Sequence, residues 1–262
     1  MHAMSAEREA DVWRMLERVA DPELDEPITE MGFVEGVEIA GPAVEVTFRL
    51  PTYWCSPNFA FLMCEGIVRE VGSLPWVARA RVRLEDHMHA EEVMASVNGA
   101  RDFSDAFADL CDGEDLAELR EKFAEKAFQR RQEAVLLALR ALGFQAEAIA
   151  EMRLRQLEFI DFEDEAERER LARYRELLTS RGLAKWPGDL AFVTWQGAPL
   201  TAAGLPEHLA RLRQVRINME FNGALCRGLK DTRYKEVARV EGEPTLVDFI
   251  LGRVPPRVEV TG

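Results

Sequence analysis

Apolar residues in the first ninety positions follow two periods in turn. Val12, Met15, Leu16 and Val19 recur at helical spacing and predict a helix over Ser5 to Ala20. Asp21-Pro22 closes it, because the residue before proline is pushed out of the α region. Asp21 to Thr29 then reads as a loop rich in carboxylates. Phe33 to Ile39 and Val44 to Leu50 alternate apolar and polar residues around Ala40-Gly41-Pro42-Ala43, which predicts a β-hairpin. A second helix follows from Phe59 to Val71, with Pro57 at its first turn and Phe59, Leu62, Met63, Gly66, Ile67 and Glu70 on its packed side. A last strand, Val77 to Leu84, sets Arg79, Arg81 and Arg83 against Ala80, Val82 and Leu84. The order of helix, hairpin, helix and strand predicts a small α/β sandwich with one helix-covered sheet face.

Beyond Phe103 the period is helical throughout. Leu116 to Leu142 predicts one long helix, opened by Asp112-Gly113-Glu114-Asp115 and ended by Gly143. A short helix is expected over Gln145 to Glu151, and Met152 to Phe162 leads into another over Glu163 to Ser180. Ala184 to Pro206 holds proline, glycine and tryptophan without clean period, so it reads as a long irregular segment. A last long helix runs to Leu229, a further turn or two are expected over Val247 to Gly252, and Val254 onward reads as a tail. The fold class is therefore α+β, with a sandwich domain over 5–95 and an all-α helical domain over 103–253.

Composition narrows the function. The chain has 262 residues, 47% of them hydrophobic, enough for a packed core. A net charge of −14 argues against nucleic acid and against anionic lipid, both of which select basic surfaces. No apolar run approaches the roughly 20 residues of a membrane span. Met1 to Ala10 is polar rather than signal-like, so a cytoplasmic location is expected. The four cysteines, Cys55, Cys64, Cys111 and Cys226, are scattered and form no C-x-x-C pair.

The candidate chemistry centres on Leu50-Pro51-Thr52-Tyr53-Trp54-Cys55-Ser56-Pro57-Asn58. Cys55 falls in a short strand-to-helix loop, just before a helix N-terminus, where backbone N–H groups favour a thiolate. A thiolate binds metal or attacks an electrophile. Around it lie Asp21-Pro22-Glu23-Leu24, Gly32-Phe33-Val34, Pro51-Thr52-Tyr53 and Leu74-Pro75-Trp76-Val77. That ordered set, over residues 8 to 90, resembles the SufT/PaaD-like family of iron–sulfur cluster assembly proteins. Two features depart from the family pattern. One residue fewer separates Thr52 from Cys55, and Ser56 stands between the cysteine and Pro57.

The resemblance implies an accessory maturation factor rather than an enzyme. Cys55 would hold iron or an iron–sulfur cluster transiently, with Thr52 beside it and the Asp21/Glu23 loop shaping the pocket. One thiolate cannot fill the roughly four ligands of a usual cluster. A homodimer, a partner or a small thiol would supply the rest, with His87 and Cys226 as weaker candidates within the chain. The implied partners are cluster-assembly proteins and a client metalloenzyme. Longer members are associated with bacterial oxygenase systems, which points to a di-iron monooxygenase as client.

Other residues carry weaker signals. Cys64 reads as core, and Cys111 as structural. Asp86-His87-Met88-His89-Ala90-Glu91-Glu92 has the residue types of a divalent-metal site, yet a helix start with Asp86 as cap is the simpler expectation. Asn218, Asn222 and Cys226 stand one turn apart and predict a polar stripe. Two alternatives to the carrier remain. One is a non-metal adaptor or assembly chaperone on the same scaffold. The other is a cysteine-nucleophile enzyme with His87 as base.

Overall fold

The structure is a computed structural model and describes residues 2–107, 116–160 and 162–234. The described residues fall into two units, one of 2–21, 26–107 and 222–234, the other of 22–25 and 116–221. Cys111, the expected opening of the long helix at Asp112 to Asp115 and the expected turns at Val247 to Gly252 lie outside the described residues.

In the first unit, α1 (His2–Leu16) buries Val12 and Leu16. It stops four residues short of the predicted end. Ala20–Asp21 forms strand β1 and pairs antiparallel with β2 (Glu26–Pro27). The Ile28 amide extends that ladder by donating to the Val19 carbonyl at 2.9 Å. Pairing across this turn, with Val19 and Ile28 both buried, outweighs the helical preference of residues 17 to 20.

The hairpin forms as patterned. β3 (Val34–Ala40) and β4 (Ala43–Arg49) meet with Ala40 opposite Ala43, leaving Gly41-Pro42 as a two-residue turn. Gly41 has φ +66°, which a first turn residue of this kind requires and glycine supplies without strain. α2 (Pro57–Gly72) then crosses to β5 (Arg79–Glu85), which lies parallel to β4, giving the order β3-β4-β5. Val82 and Leu84 face the core while Arg79, Arg81 and Arg83 face solvent. α2 buries Ala60, Phe61, Met63, Cys64, Gly66, Ile67 and Val71. Phe59, Leu62 and Glu70 are only half-buried, so the packed face is turned from the expected one toward the side that covers β4 and β5.

α3 (Ala90–Val97) follows, and the Asn98 amide beyond it bonds both the N–H and the C=O of Val82, each at 2.9 Å. A side chain thereby occupies part of the open edge of β5. α4 (Phe103–Ala106) brings Phe103 against Phe61 and Phe107.

The second unit is helical: α5 (Leu116–Ala141), α6 (Ala146–Glu151), α7 (Leu154–Glu158) and α8 (Glu165–Ser180). Gly143 and Gly182 end α5 and α8 with φ of +92° and +71°, the left-handed exit that glycine favours. Residues 183–204 form no helix, yet Ala191, Phe192, Val193 and Leu200 are buried within the core. α9 (Leu205–Tyr234) is the last described element, and its residues from Asn222 on belong to the first unit.

Candidate functional site around Cys55

β4 delivers the chain into a short loop whose first residues are buried: Leu50 at 1% exposure, then Pro51 and Thr52. The Cys55 amide turns back onto the Thr52 carbonyl at 3.4 Å. Ser56 then caps α2 by position and Pro57 fills its first turn, where a missing N–H costs nothing. Cys55 is half-buried at this junction, immediately ahead of the helix. Its neighbours Tyr53 and Trp54 are exposed, Trp54 at 71%.

The segment after β5 holds this loop from its other side. Met88 N–H donates to the Tyr53 carbonyl at 2.9 Å, and His87 Nε2 lies 2.8 Å from the Cys55 carbonyl. A carbonyl only accepts, so Nε2 carries the proton. His87 Nδ1 accepts from the His89 N–H at 3.2 Å. Both ring nitrogens are thus committed to backbone groups. His87 is 5% exposed, and burial lowers its pKa, in keeping with a neutral ring. It holds the Cys55 backbone in place and points no lone pair at the thiol. A cysteine-nucleophile mechanism with His87 as base finds no support in this geometry.

Asp86 is not the cap of α3, contrary to the simpler sequence expectation. It sits at φ +51° with its carboxylate 2.9 Å from Arg233, and His89 takes the cap position. Glu91 and Glu92 do occupy the first turn, where the helix dipole favours them.

The remaining candidates sit on other elements. Asp21 is buried within β1 in the first unit. Glu23 belongs to the second unit and pairs with Lys126 at 3.5 Å. Cys226 is half-buried on α9. Cys64 is fully buried, and burial pushes its thiol pKa well up. Among the described residues no group of three or more His, Cys, Asp and Glu side chains is arranged to hold a metal ion. Cys55 by itself does not supply the ligand set of a resident metal centre. Among the described residues no helix is long and apolar enough to cross a membrane.

The predicted polar stripe on α9 does not form a single buried face, since Asn218 is exposed while Asn222 and Cys226 are half-buried. A basic series beside it was missed. Arg227 pairs with Glu26, Lys230 with Glu35 at 3.7 Å, and Arg233 with Asp86. The signal was present as basic residues at every third position, which share one helix face.

Residues 9–83, the stretch from α1 into β5 that contains the Cys55 loop, match the model of the family described as iron-sulfur cluster assembly protein. The resemblance read from the ordered motifs is therefore supported over the N-terminal third, and with it a general role in cluster assembly. No curated protein matches the chain.

Proposed function

We propose that this protein is an accessory factor that carries iron or an iron–sulfur cluster transiently at Cys55 and delivers it to a client metalloenzyme. The observation that carries the reading is the Cys55 loop within the matched region. A half-buried thiol stands at a helix N-terminus, its backbone fixed by His87 and its flanks exposed. A single protein ligand suits a carrier, because a complete four-ligand site would retain its cargo. A second copy, the donor or the client completes the coordination. The helical unit recognises the client, and the family resemblance suggests an oxygenase of the di-iron class.

The absence of a ligand cluster among the described residues favours one second reading, a non-metal assembly adaptor. Anaerobic reconstitution with ferrous iron and sulfide, on the native protein and on Cys55→Ala, separates the two. Iron, sulfide and visible absorption held by the native protein and lost in the variant support the carrier. No iron on either protein, with client binding intact in Cys55→Ala, supports the adaptor.

A further inference from the structure

The helical unit contains a cavity of about 210 Å³ that the carrier role does not use. Its walls combine an apolar side with polar groups, among them Thr194, Gln196 and one buried histidine. Phe128, Trp195, Leu212 and Val215 supply the apolar surface, from α5, the irregular segment and α9. His208, 9% exposed, borders the same space.

A chain of hydrogen bonds fixes the state of that histidine. Tyr174 OH donates to the Ala191 carbonyl at 2.8 Å. The Gln132 amide nitrogen donates to Tyr174 OH at 2.9 Å and to the Val193 carbonyl at 2.8 Å. Because a carbonyl only accepts, these contacts settle which end of the Gln132 amide is nitrogen. Its oxygen, 2.6 Å from His208 Nε2, must then accept, so the imidazole carries its proton on Nε2. Nδ1 keeps a lone pair, and no hydrogen bond among the described residues uses it. Nδ1 is not sealed from solvent, and the cavity is a space that His208 lines.

We propose that this cavity binds a small neutral molecule with an apolar body and one O–H or N–H donor, the donor bonding His208 Nδ1. Ligand pockets for cofactor-sized molecules typically span about 300–1,000 Å³, so the occupant is smaller than a nucleotide or a flavin. The charged residues of the lining, Glu125 and Arg211, are opposite in sign and already engaged, with Gln129 at 3.2 Å and Glu207 at 3.7 Å. They select neither a cation nor an anion. The site lies wholly in the second unit and stands independently of cluster carriage at Cys55.

The test is a titration of the full-length protein with p-cresol and with toluene, which differ by one O–H donor. Nitrogen-15 NMR of the histidine side chains reads the two His208 nitrogens directly. The expected result is a shift of Nδ1 with p-cresol in the millimolar range and binding of toluene at least tenfold weaker. His208→Phe removes the acceptor but strands the Gln132 oxygen, so Val215→Trp serves as the second variant. It adds an indole to the lining, removes no partner of the Gln132–His208 bond and is expected to abolish p-cresol binding. No Nδ1 shift with p-cresol, equal binding of toluene, or a shift that survives in Val215→Trp would each overturn the proposal.

Discussion

Asp25 and Arg131 form a two-pronged ion pair, with Nε to Oδ2 at 2.8 Å and Nη2 to Oδ1 at 2.6 Å. Asp25 reaches this position in the left-handed region, at φ +52°, which a residue with a short polar side chain tolerates. Arg130 adds a bond to the Leu24 carbonyl and Lys126 pairs with Glu23. α5 thus binds residues 23–25 through three of its basic side chains. These contacts clasp the stretch onto the helix, and Glu23, one of the two carboxylates expected to shape a pocket, takes part in them.

Breaking the clasp has a predictable cost. The Asp25 side chain is 9% exposed and that of Arg131 23%, so removing one partner strands a largely buried charge. Asp25→Ala is expected to destabilise the helical unit by about 3 kcal/mol. Asp25→Gly, which relieves the positive φ but also loses the pair, should cost less than alanine. Urea denaturation followed by circular dichroism checks the order. Equal stability of the alanine variant and the native protein would show that the pair contributes nothing.

Gly66 on α2 packs against Val19, the residue just before β1. A Cβ at that position would lie 2.9 Å from Val19 Cγ1, a core contact with no flexible end to move. Glycine inside a helix normally gives up about 1 kcal/mol to alanine, yet here the space forbids the exchange. Gly66→Ala is expected to lower stability by about 1–3 kcal/mol through overpacking. Val19→Ala in the same chain should recover most of that loss. The thermal midpoints of the two single variants and the double variant test the coupling.

The hairpin was legible because Gly41-Pro42 and strict alternation leave one register, and the long α5 because its apolar positions keep helical period up to Gly143. The early end of α1 was not. Val19 serves a ladder with Ile28, and neither residue announces that partner locally. The cap of α3 was misread for a similar reason, since Asp86 is drawn to Arg233 from far along the chain. At the Cys55 loop, the place of His87 just after the last strand foretold its nearness to that loop. That position did not foretell that His87 would spend both nitrogens on backbone.

The thiols should differ sharply in reactivity. Cys55 is half-buried in a loop, whereas Cys64 is fully buried and its pKa is raised by loss of solvent. With iodoacetamide at pH 8, peptide mapping should find Cys55 alkylated in the folded protein and Cys64 only after denaturant is added. Modification of Cys64 at a rate matching Cys55 would mean that α2 opens on the timescale of the reaction.

Two histidines tie stability to pH. His87 is lowered from its ordinary pKa of 6.5 mainly by burial, with His89 adding to the effect and the Cys55 carbonyl and Glu92 opposing it. His208 is lowered by burial and by Arg211. A folded pKa below the unfolded one means that the unfolded chain takes up protons first as the pH falls. Above about 6.5 neither group changes the balance. Below it, stability declines until the folded pKa values are reached. Glu133 works the other way, since burial raises its pKa and protonation relieves its cost, but from an ordinary value of 4.5. Urea midpoints measured from pH 7.5 to 5.5 should therefore fall. Their slope should be shallower in His87→Gln, because glutamine can donate to the Cys55 carbonyl but has no ring to protonate. A profile in this variant as steep as the native one would remove His87 as a source of the pH dependence and leave His208 as the group to replace next.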